Sequence, residues 1–360
     1  MFHINNKLVT FETMGNHEKY MQRCLEIAYN GLGNVAPNPM VGCVIVHDGR
    51  IIGESYHKQF GEAHAEVNAI NATGDKSLLK DVTIYISLEP CAHFGKTPPC
   101  VDLIVEHKIP NVIIACQDPF AEVAGRGIKR LQDAGCNVIT GVLEKEAQEL
   151  NKRFFTFQVK KRPYIILKWA QTLDRFIDRK RERVDGNGIN WISNDLSKRL
   201  VHKWRSEEQA ILIGTNTALN DDPKLNVREW KGKDPLRIVL DRELKLPLNL
   251  NLFDQTIQTL VFTEKERDSK ENLQYIPINF KANIIASILN QLYQRKIQSV
   301  IVEGGATLLN AFIASGLWDE ARVFIGNKTF GHGLEAPVIN LSPYSIDDVS
   351  NDKLLTYRNY

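Results

Sequence analysis

Three residues of types that bind zinc lie close together in the first half of the chain, and a carboxylate stands beside the first. His64 opens the stretch HAEVNAI, and Glu66 follows two residues later. Cys91 and Cys100 enclose the eight residues AHFGKTPP. A catalytic zinc takes three protein ligands and keeps one position open for water. Bound zinc lowers the pKa of that water to about 7, and a nearby carboxylate relays its protons to a leaving group.

This arrangement predicts a catalytic zinc site with His64, Cys91 and Cys100 as ligands and Glu66 as the proton relay. H-x-E followed by P-C is the signature of zinc deaminases that act on nucleobases. The usual second element is P-C-x-x-C, whereas eight residues separate the cysteines here. The alternatives are a structural zinc site, or two core thiols beside an ordinary helix. The remaining cysteines, at positions 24, 43, 116 and 136, lie in apolar stretches and are predicted to be core residues.

A second candidate site lies in the stretch SVIVEGGATLLNAF, where a predicted strand enters two glycines and then a predicted helix. Gly304 and Gly305 let the backbone approach a phosphate closely, and the start of the helix offers free N–H groups. The sequence has no G-x-G-x-x-G fingerprint. Many strand-to-helix turns contain two glycines, so an ordinary turn is the alternative.

Predicted strands and helices alternate along both halves of the chain, which indicates α/β layers. Residues 17–33 form the first predicted helix, and two apolar runs joined by Asp48-Gly49 form a hairpin. His64 and Glu66 begin the next helix, and TIYISLEP is a short buried strand that leads to the cysteines. In the second half, DLSKRLVHKWRSE is predicted to be helical.

The basic stretch LNKRFFTFQVKKRP separates the two halves, and we place the domain boundary there. One predicted domain covers residues 15–160 and the other residues 161–360. A length of 360 residues is typical of two domains.

The composition excludes several classes of protein. The formal net charge is +2, from 45 basic and 43 acidic residues, and a nucleic-acid binder usually shows a strong basic excess. The N-terminus has no signal-peptide pattern, and no apolar run approaches the roughly 20 residues of a membrane span. Six cysteines are too few for a disulfide framework at this length. We therefore expect a soluble cytoplasmic protein without a nucleic-acid or membrane partner.

Five stretches of the first half resemble the deaminase half of the bifunctional riboflavin-biosynthesis deaminase–reductase family: APNPMVGCVIV, GESYH, HAEVNAI, SLEPCAHFGKTPPC and QDPFAEVAGRG. The resemblance implies a cytidine-deaminase-like three-layer αβα domain with one zinc ion per chain. The implied reaction is hydrolytic deamination of a small molecule, diaminohydroxyphosphoribosylaminopyrimidine. The implied substrate-binding residues are Asn38, His57, His93, Lys96 and Asp118. Structural roles are the alternative for two of them, because Asn38 lies between prolines and Asp118-Pro119 follows a strand. The family usually has D-P-N-P there, whereas Phe120 stands in place of its Asn.

Three stretches of the second half, YIILKWAQTLD, GTNTALNDDPKLNVR and IVEGGATL, resemble the reductase half of the same family. The resemblance implies a dihydrofolate-reductase-like α/β domain that uses NADPH to reduce the ribosyl group to ribityl. The implied cofactor-binding residues are Ala170, Trp191, Thr217, Asp221, Gly304 and Gly305. The implied substrate-binding residues are Lys168, Arg205, Leu225, Arg228 and Glu303. The family also suggests a homodimer or a larger assembly such as a tetramer.

Two features of the reductase half leave its details open. Lys168 and Asp174 fall in the family's first strand motif, and they fit either a direct catalytic role or a salt-bridged strand end. Arg175 stands where the family usually has Gly, and DGNGIN before Trp191 lacks the Ser often found there. The basic run DRKRER is predicted to be a solvated loop.

Two other functions are compatible with parts of the sequence. One is a nucleoside or nucleic-acid deaminase with a fused accessory domain, and the near-neutral charge counts against it. The other is a zinc module without enzymatic activity whose second half is an assembly domain. This second alternative leaves Glu66 without a role.

Overall fold

A computed structural model describes residues 11–360 apart from 93, 95–97, 121–123 and 181–188. The chain forms two compact units, of which the first ends at Lys160 and the second begins at Lys161. Two predicted substrate-binding residues, His93 and Lys96, lie outside the described residues, as does part of the DRKRER run.

The first unit is built on a five-stranded mixed sheet with the order β2-β1-β3-β4-β5. Strand β1 pairs antiparallel with β2 and β3, and β3, β4 and β5 run parallel. The strands are β1 (Gly42–His47), β2 (Arg50–Tyr56), β3 (Thr83–Ile86), β4 (Asn111–Ile114) and β5 (Asn137–Thr140). The helices are α1 (Phe11–Ala28), α2 (Ala65–Ala72), α3 (Cys100–Glu106), α4 (Arg126–Asp133), α5 (Glu144–Leu150) and α6 (Lys152–Lys160), with short 3₁₀ turns at Tyr29–Gly31 and Lys76–Asp81.

Helices cover both faces of this sheet. Successive strand residues point to opposite sides, and the apolar residues of β1 therefore need a covering layer on each face. Cys43 and Ile45 of β1 pack in one apolar cluster with residues of α2, α3 and α4. Val44 and Val46 pack in another cluster with residues of α1, α5 and α6. The predicted three-layer αβα arrangement is therefore confirmed.

Two local features of the first half relate to predictions from the sequence. The predicted hairpin forms, and its turn residues Asp48 and Gly49 have φ values of 47° and 74°, as tight hairpin turns require. The stretch in which the domain boundary was predicted carries α6, whose Phe154 and Phe157 are buried. The two units divide at the end of this helix, between Lys160 and Lys161.

The second unit is built on a nine-stranded sheet with the order β11-β10-β9-β8-β12-β6-β13-β16-β15. Neighbouring strands from β11 to β13 in this order run parallel. Strand β16 pairs antiparallel with both β13 and β15. The strands of this sheet are β6 (Tyr164–Thr172), β8 (Ala210–Ile213), β9 (Leu236–Leu240), β10 (Thr259–Thr263), β11 (Leu273–Pro277), β12 (Ser299–Glu303), β13 (Glu320–Gly326), β15 (Ser345–Val349) and β16 (Asp352–Arg358). Strands β7 (Phe176–Asp178) and β14 (Leu334–Glu335) form a separate pair. The helices are α7 (Asp195–Glu207), α8 (Thr215–Asp221), α9 (Ile284–Gln294) and α10 (Ala306–Ser315), with a 3₁₀ turn at Asn251–Phe253.

The second sheet is also buried on both faces. Ile165, Leu167 and Trp169 of β6 pack in the largest apolar cluster, and Tyr164 and Ile166 pack in a cluster on the other face. In parallel sheets of this kind, ligands bind beyond the carboxyl ends of the strands. Strands β8, β12 and β6 are neighbours, so their carboxyl ends define the region where a site is expected. Within the described part of the chain, no helix combines the length and the apolar character that a membrane span requires.

Candidate active sites

The three predicted zinc ligands converge in the first unit. His64 is the N-cap of α2, Cys91 follows β3 after a short turn, and Cys100 begins α3. His64 Nδ1 lies 3.6 Å from Cys91 Sγ and 3.3 Å from Cys100 Sγ. Tetrahedral zinc with bonds of about 2.1 Å to nitrogen and 2.3 Å to sulfur places those two atoms about 3.6 Å apart. The donor types and their spacing therefore fit a zinc ion.

The two cysteines differ in their affinity for protons. The backbone N–H of Cys100 donates a hydrogen bond of 3.3 Å to Cys91 Sγ. Hydrogen bonding to Cys100 lowers the pKa of the Cys91 thiol, and the same interaction, together with burial, raises the pKa of Cys100. Thiolate is the form of cysteine that binds metals, so the lowered pKa of Cys91 favours metal binding.

Glu66 lies on the first turn of α2 and is 3% exposed. Its Oε2 atom has no hydrogen-bond partner among the described residues. Buried carboxylate oxygens are normally hydrogen-bonded, so an unpartnered one indicates a role that the protein alone does not fill. Burial also raises the pKa of Glu66. These properties fit a carboxylate that exchanges protons beside the zinc ligands.

Asn38 and His57 form a hydrogen-bonded pair beside His64. The His57 and His64 rings meet edge to face, with their centroids 5.4 Å apart. His57 Nδ1 lies 3.1 Å from the carbonyl oxygen of Ala63, and Asn38 Nδ2 lies 3.2 Å from His57 Nε2. With Nδ1–H as the donor to Ala63, Nε2 is left to accept from Asn38, and burial lowers the pKa of His57. The hydrogen bonds and the lowered pKa both favour a neutral His57 next to the predicted zinc ligand His64.

Asp118 makes a local contact. Its Oδ1 accepts a hydrogen bond of 2.8 Å from the backbone N–H of Phe120, which closes a tight turn. This turn corresponds to the structural alternative for Asp118, and its contact with substrate stays a prediction. The contacts predicted for His93 and Lys96 also stay predictions.

All of the predicted reductase residues line one cleft in the second unit, with a volume of about 260 Å³. The cleft lies at the carboxyl ends of β6, β8 and β12, where the sheet topology places it. Its lining includes the predicted residues Lys168, Ala170, Trp191, Arg205, Thr217, Asp221, Leu225, Arg228, Glu303, Gly304 and Gly305.

A charged cluster forms the floor of this cleft. Arg205 binds Glu303 through two hydrogen bonds, with Nη2 2.8 Å from Oε2 and Nε 3.2 Å from Oε1. Lys168 Nζ lies 3.9 Å from the same carboxylate. Burial disfavours the charge of Glu303, but Arg205 and Lys168 outweigh burial and lower its pKa to about 2. Burial lowers the pKa of Lys168, and Glu303 opposes that effect.

Asp174 has a different partner from the one expected for a salt-bridged strand end. Its carboxylate accepts backbone hydrogen bonds of 3.0 Å from Phe330 and 2.7 Å from Gly331, and it thereby holds that turn. The next residue, Arg175, has a φ of 66°. Glycine adopts this left-handed conformation without strain, which explains why the family usually has Gly at this position.

The Gly-Gly turn between β12 and α10 requires both of its glycines. Gly304 and Gly305 have φ values of 127° and 41°. A Cβ atom on Gly304 would lie 2.8 Å from Thr217 Oγ1, closer than real Cβ atoms approach. The turn therefore brings backbone against α8 and leaves it accessible from the cleft, as a phosphate-binding turn requires.

Lys198 and His202 are among the cleft residues that were not predicted from the sequence. Lys198 lies with its Nζ 4.0 Å from the centre of the Trp191 ring. His202 is 2% exposed, and its Nδ1 accepts a hydrogen bond of 3.4 Å from the backbone N–H of Arg228. Burial, together with Arg205 and Arg228, lowers the pKa of His202 to about 4. The spacing of three residues between His202 and Arg205 places both on one face of α7. This spacing was the feature of the sequence from which His202 could have been predicted to lie in the cleft.

The folds and the two sites together define a two-domain enzyme, a zinc-dependent deaminase joined to a reductase. Residues 14–116 match the family model of the cytidine and deoxycytidylate deaminase zinc-binding region, and residues 163–348 match that of the RibD C-terminal domain.

Relatives match along most of the chain. Riboflavin biosynthesis protein RibD of Aquifex aeolicus is 41% identical over 322 residues, 88% of this chain and 88% of the relative. The Escherichia coli protein of the same name is 38% identical, over 87% of this chain and 88% of the relative. The crystal structure of a diaminohydroxyphosphoribosylaminopyrimidine deaminase/5-amino-6-(5-phosphoribosylamino)uracil reductase from Thermotoga maritima is 36% identical, with a TM-score of 0.87, and covers 96% of this chain and 99% of its own. The chain belongs to the RibD family.

Membership of this family confirms the main predictions from the sequence. The chain is a bifunctional deaminase and reductase of riboflavin biosynthesis that uses zinc and NADPH. It acts on a small-molecule phosphoribosylaminopyrimidine. The predicted α/β fold class of both halves is confirmed as well.

Proposed function

We propose that His64, Cys91 and Cys100 hold the zinc ion and that Glu66 is the proton relay of the deaminase. The observation that carries this proposal is the unpartnered, buried Oε2 of Glu66 beside three converging donors. Bound zinc supplies an activated water at neutral pH. With zinc bound, Glu66 Oε2 would take up a proton at the site and deliver it to the departing amino group, so that ammonia would leave as a neutral molecule.

The substrate of this step is held by polar groups around the zinc ligands. Neutral His57, oriented by Asn38 and by the Ala63 carbonyl, presents a fixed ring beside His64. We assign Asn38, His57 and Asp118 to the pyrimidine and its ribosyl phosphate. His93 and Lys96 belong to the same assignment through the family motif alone.

In the second unit, the Gly304–Gly305 turn and Thr217 form the phosphate side of the NADPH site, with Ala170, Trp191 and Asp221 as further cofactor contacts. The cofactor supplies a hydride to the sugar C1′ atom. Glu303 is ionised and held in place by Arg205, so it can accept hydrogen bonds from sugar hydroxyls. Arg228, at the outer end of the cleft, binds the phosphate ester, while Lys168 and the buried Leu225 complete the substrate side.

NADPH oxidation on addition of the phosphoribosylaminopyrimidine tests the two assignments together. The zinc-loaded enzyme is expected to release ammonia and then oxidise NADPH. After zinc removal, both signals are expected to stop with this substrate, while the deaminated compound still supports NADPH oxidation. Oxidation of NADPH without prior ammonia release contradicts the proposed order. Deamination of an oligonucleotide or of cytidine at a comparable rate supports the alternative nucleic-acid or nucleoside substrate.

We further propose that the enzyme is a cytoplasmic homo-oligomer, a dimer or tetramer, without a nucleic-acid partner. Exposed Tyr344 and Ile346 next to the unpaired edge of β15 support self-association, since apolar side chains at an exposed strand edge favour pairing. The free thiols of all six cysteines are consistent with a reducing compartment. Sedimentation velocity measures the oligomeric state, and a monomer at micromolar concentration contradicts this part of the proposal.

A further inference from the structure

Glu89 is a buried carboxylate that the proposed deaminase mechanism does not use. It lies two residues before Cys91 and is 4% exposed. Its oxygens accept four backbone N–H groups from a single stretch of chain, at 3.2 Å from Asp118, 3.0 Å from Gly125, 2.8 Å from Gly127 and 3.2 Å from Ile128. These four hydrogen bonds from backbone N–H groups fix the position of the carboxylate.

Three of these donors belong to the beginning of α4. Gly125 is the N-cap residue, and Gly127 and Ile128 are the second and third residues of the helix. The first N–H groups of a helix have no partner within the helix, and the helix N-terminus favours a negative charge. A glycine at the N-cap offers no side chain for this purpose. Glu89 therefore caps α4 from a distant part of the sequence.

Helix α4 is also attached to both segments that carry the cysteine ligands. Arg130 forms an ion pair with Asp102, two residues after Cys100. Its guanidinium also donates a hydrogen bond of 3.4 Å to the carbonyl oxygen of Ala92, which follows Cys91. The start of the helix packs directly against the turn before Cys91. The contact is so close that a Cβ atom on Gly127 would collide with the Pro90 carbonyl.

The fourth donor connects this arrangement to the substrate side of the site. Glu89 Oε2 binds the N–H groups of both Asp118 and Gly125, so one atom holds the two ends of the intervening chain. Asp118 is one of the residues assigned to the substrate. Any displacement of the Glu89 carboxylate moves Asp118 relative to Cys91.

We propose that Glu89 is a positioning residue for deamination, which fixes the segment carrying Asp118 against the turn that carries Cys91. The inference rests on the proposed function of the deaminase site. Glutamine at this position offers one oxygen and one NH₂ group, so about two of the four backbone N–H groups lose their acceptor and face a donor. The segment that carries Asp118 then shifts, while the proposed zinc ligands themselves are unchanged.

The test compares Glu89→Gln with the wild type in the full-length, zinc-loaded enzyme. Three quantities are measured on each preparation: ammonia release at varied substrate concentration, NADPH oxidation with the deaminated substrate, and zinc per chain. We expect the deaminase kcat/KM to fall about 10- to 100-fold, mainly through a higher KM, which is the scale of effect for small displacements of positioning groups. Zinc content is expected to stay at one per chain and reductase kcat/KM within about twofold of the wild-type value, since neither involves Glu89.

Asp133→Asn is the matched control, because it removes a carboxylate from the same helix. Asp133 forms an exposed pair with Lys129 and is far along α4 from the N-terminus. Its deaminase kinetics are expected to stay within about twofold of wild type, as for other surface pairs.

Gly127→Ala is a second, independent variant, which keeps the Glu89 charge but forces the start of α4 away from Pro90. It is expected to raise the deaminase KM as well, and it decides the question if Glu89→Gln does not fold. Wild-type deaminase kinetics in Glu89→Gln, or in Gly127→Ala when the first variant is unfolded, would overturn the inference. Loss of zinc in step with activity would also overturn it, since Glu89 would then serve metal retention. A wild-type enzyme that releases no ammonia contradicts the proposed function instead.

Discussion

Replacing Glu303 by glutamine removes the negative charge that Arg205 and Lys168 share in the reductase cleft. The folded-state pKa of about 2, against an ordinary value of 4.5, corresponds to about 3 kcal/mol of stability at neutral pH. Solvent screening reduces this figure little, because the Glu303 side chain is only 12% exposed. This figure already contains the loss of the counter-charge for Arg205 and Lys168, since those two cations are what lower the pKa of Glu303. We therefore expect Glu303→Gln to unfold the second unit about 3 kcal/mol more easily at pH 7.

The pH dependence of this loss has a defined sign. A depressed folded-state pKa stabilises the chain above the unfolded-state value of 4.5, and this stabilisation disappears as the pH falls toward 2. The difference between wild type and Glu303→Gln is thus expected to be full at pH 7 and about half as large at pH 3. The glutamine has no charge to titrate, so the change comes from the wild type.

Tryptophan fluorescence during urea titration measures this difference in the second unit alone. All five tryptophans lie at positions 169, 191, 204, 230 and 318, which belong to that unit. Glu243→Gln is the control, since its carboxylate forms an exposed pair with Lys245, and its urea midpoint is expected to stay close to the wild-type value. A loss below about 1 kcal/mol for Glu303→Gln at pH 7, or a loss that does not shrink at pH 3, refutes the reasoning.

Three further substitutions test individual residues. Glu66→Gln is expected to lower deaminase kcat by about 10²- to 10⁴-fold without loss of zinc or of NADPH oxidation with the deaminated substrate, and near-wild-type ammonia release contradicts the proton relay. Gly304→Ala is expected to raise the KM for NADPH at least about tenfold, because strain of about 1–3 kcal/mol and the contact with Thr217 displace the turn; an unchanged KM for NADPH places the cofactor elsewhere. Arg175→Gly relieves left-handed strain of about 1–2 kcal/mol and loses part of that to chain entropy, so urea titration is expected to show a net gain of about 0.5–1 kcal/mol. A destabilised Arg175→Gly chain means that the arginine side chain makes a compensating contact.

The convergence of His64, Cys91 and Cys100 was predictable because their residue types, spacing and neighbouring carboxylate leave few chemical alternatives. The same holds for the lining of the reductase cleft, where the family motifs lie at the carboxyl ends of adjacent parallel strands. The motifs do not predict which strands pair with one another. The order of the nine-stranded sheet depends on contacts between residues far apart in sequence, such as Glu303 of β12 beside Lys168 of β6.

Other features could not be read from the sequence, for local physical reasons. The basic composition of the boundary segment gives no indication of α6, whose buried Phe154 and Phe157 stabilise the helix. His202 was not predicted because a single histidine in a helix carries no motif, and only the fold brings it to Arg228. The capping of α4 by Glu89 joins positions 36 to 39 residues apart in sequence, which helix-capping patterns do not describe.

The separate cores of the two units have a genetic consequence. Each sheet is buried by its own helices, and each proposed catalytic cluster belongs to one unit. If the proposed roles hold, a chain inactivated at Glu66 is expected to keep a competent reductase, and a chain inactivated at Glu303 is expected to keep a competent deaminase. Two such defective alleles in one cell are then expected to supply both half-reactions and to restore riboflavin prototrophy in trans, as long as the deaminated intermediate diffuses between molecules.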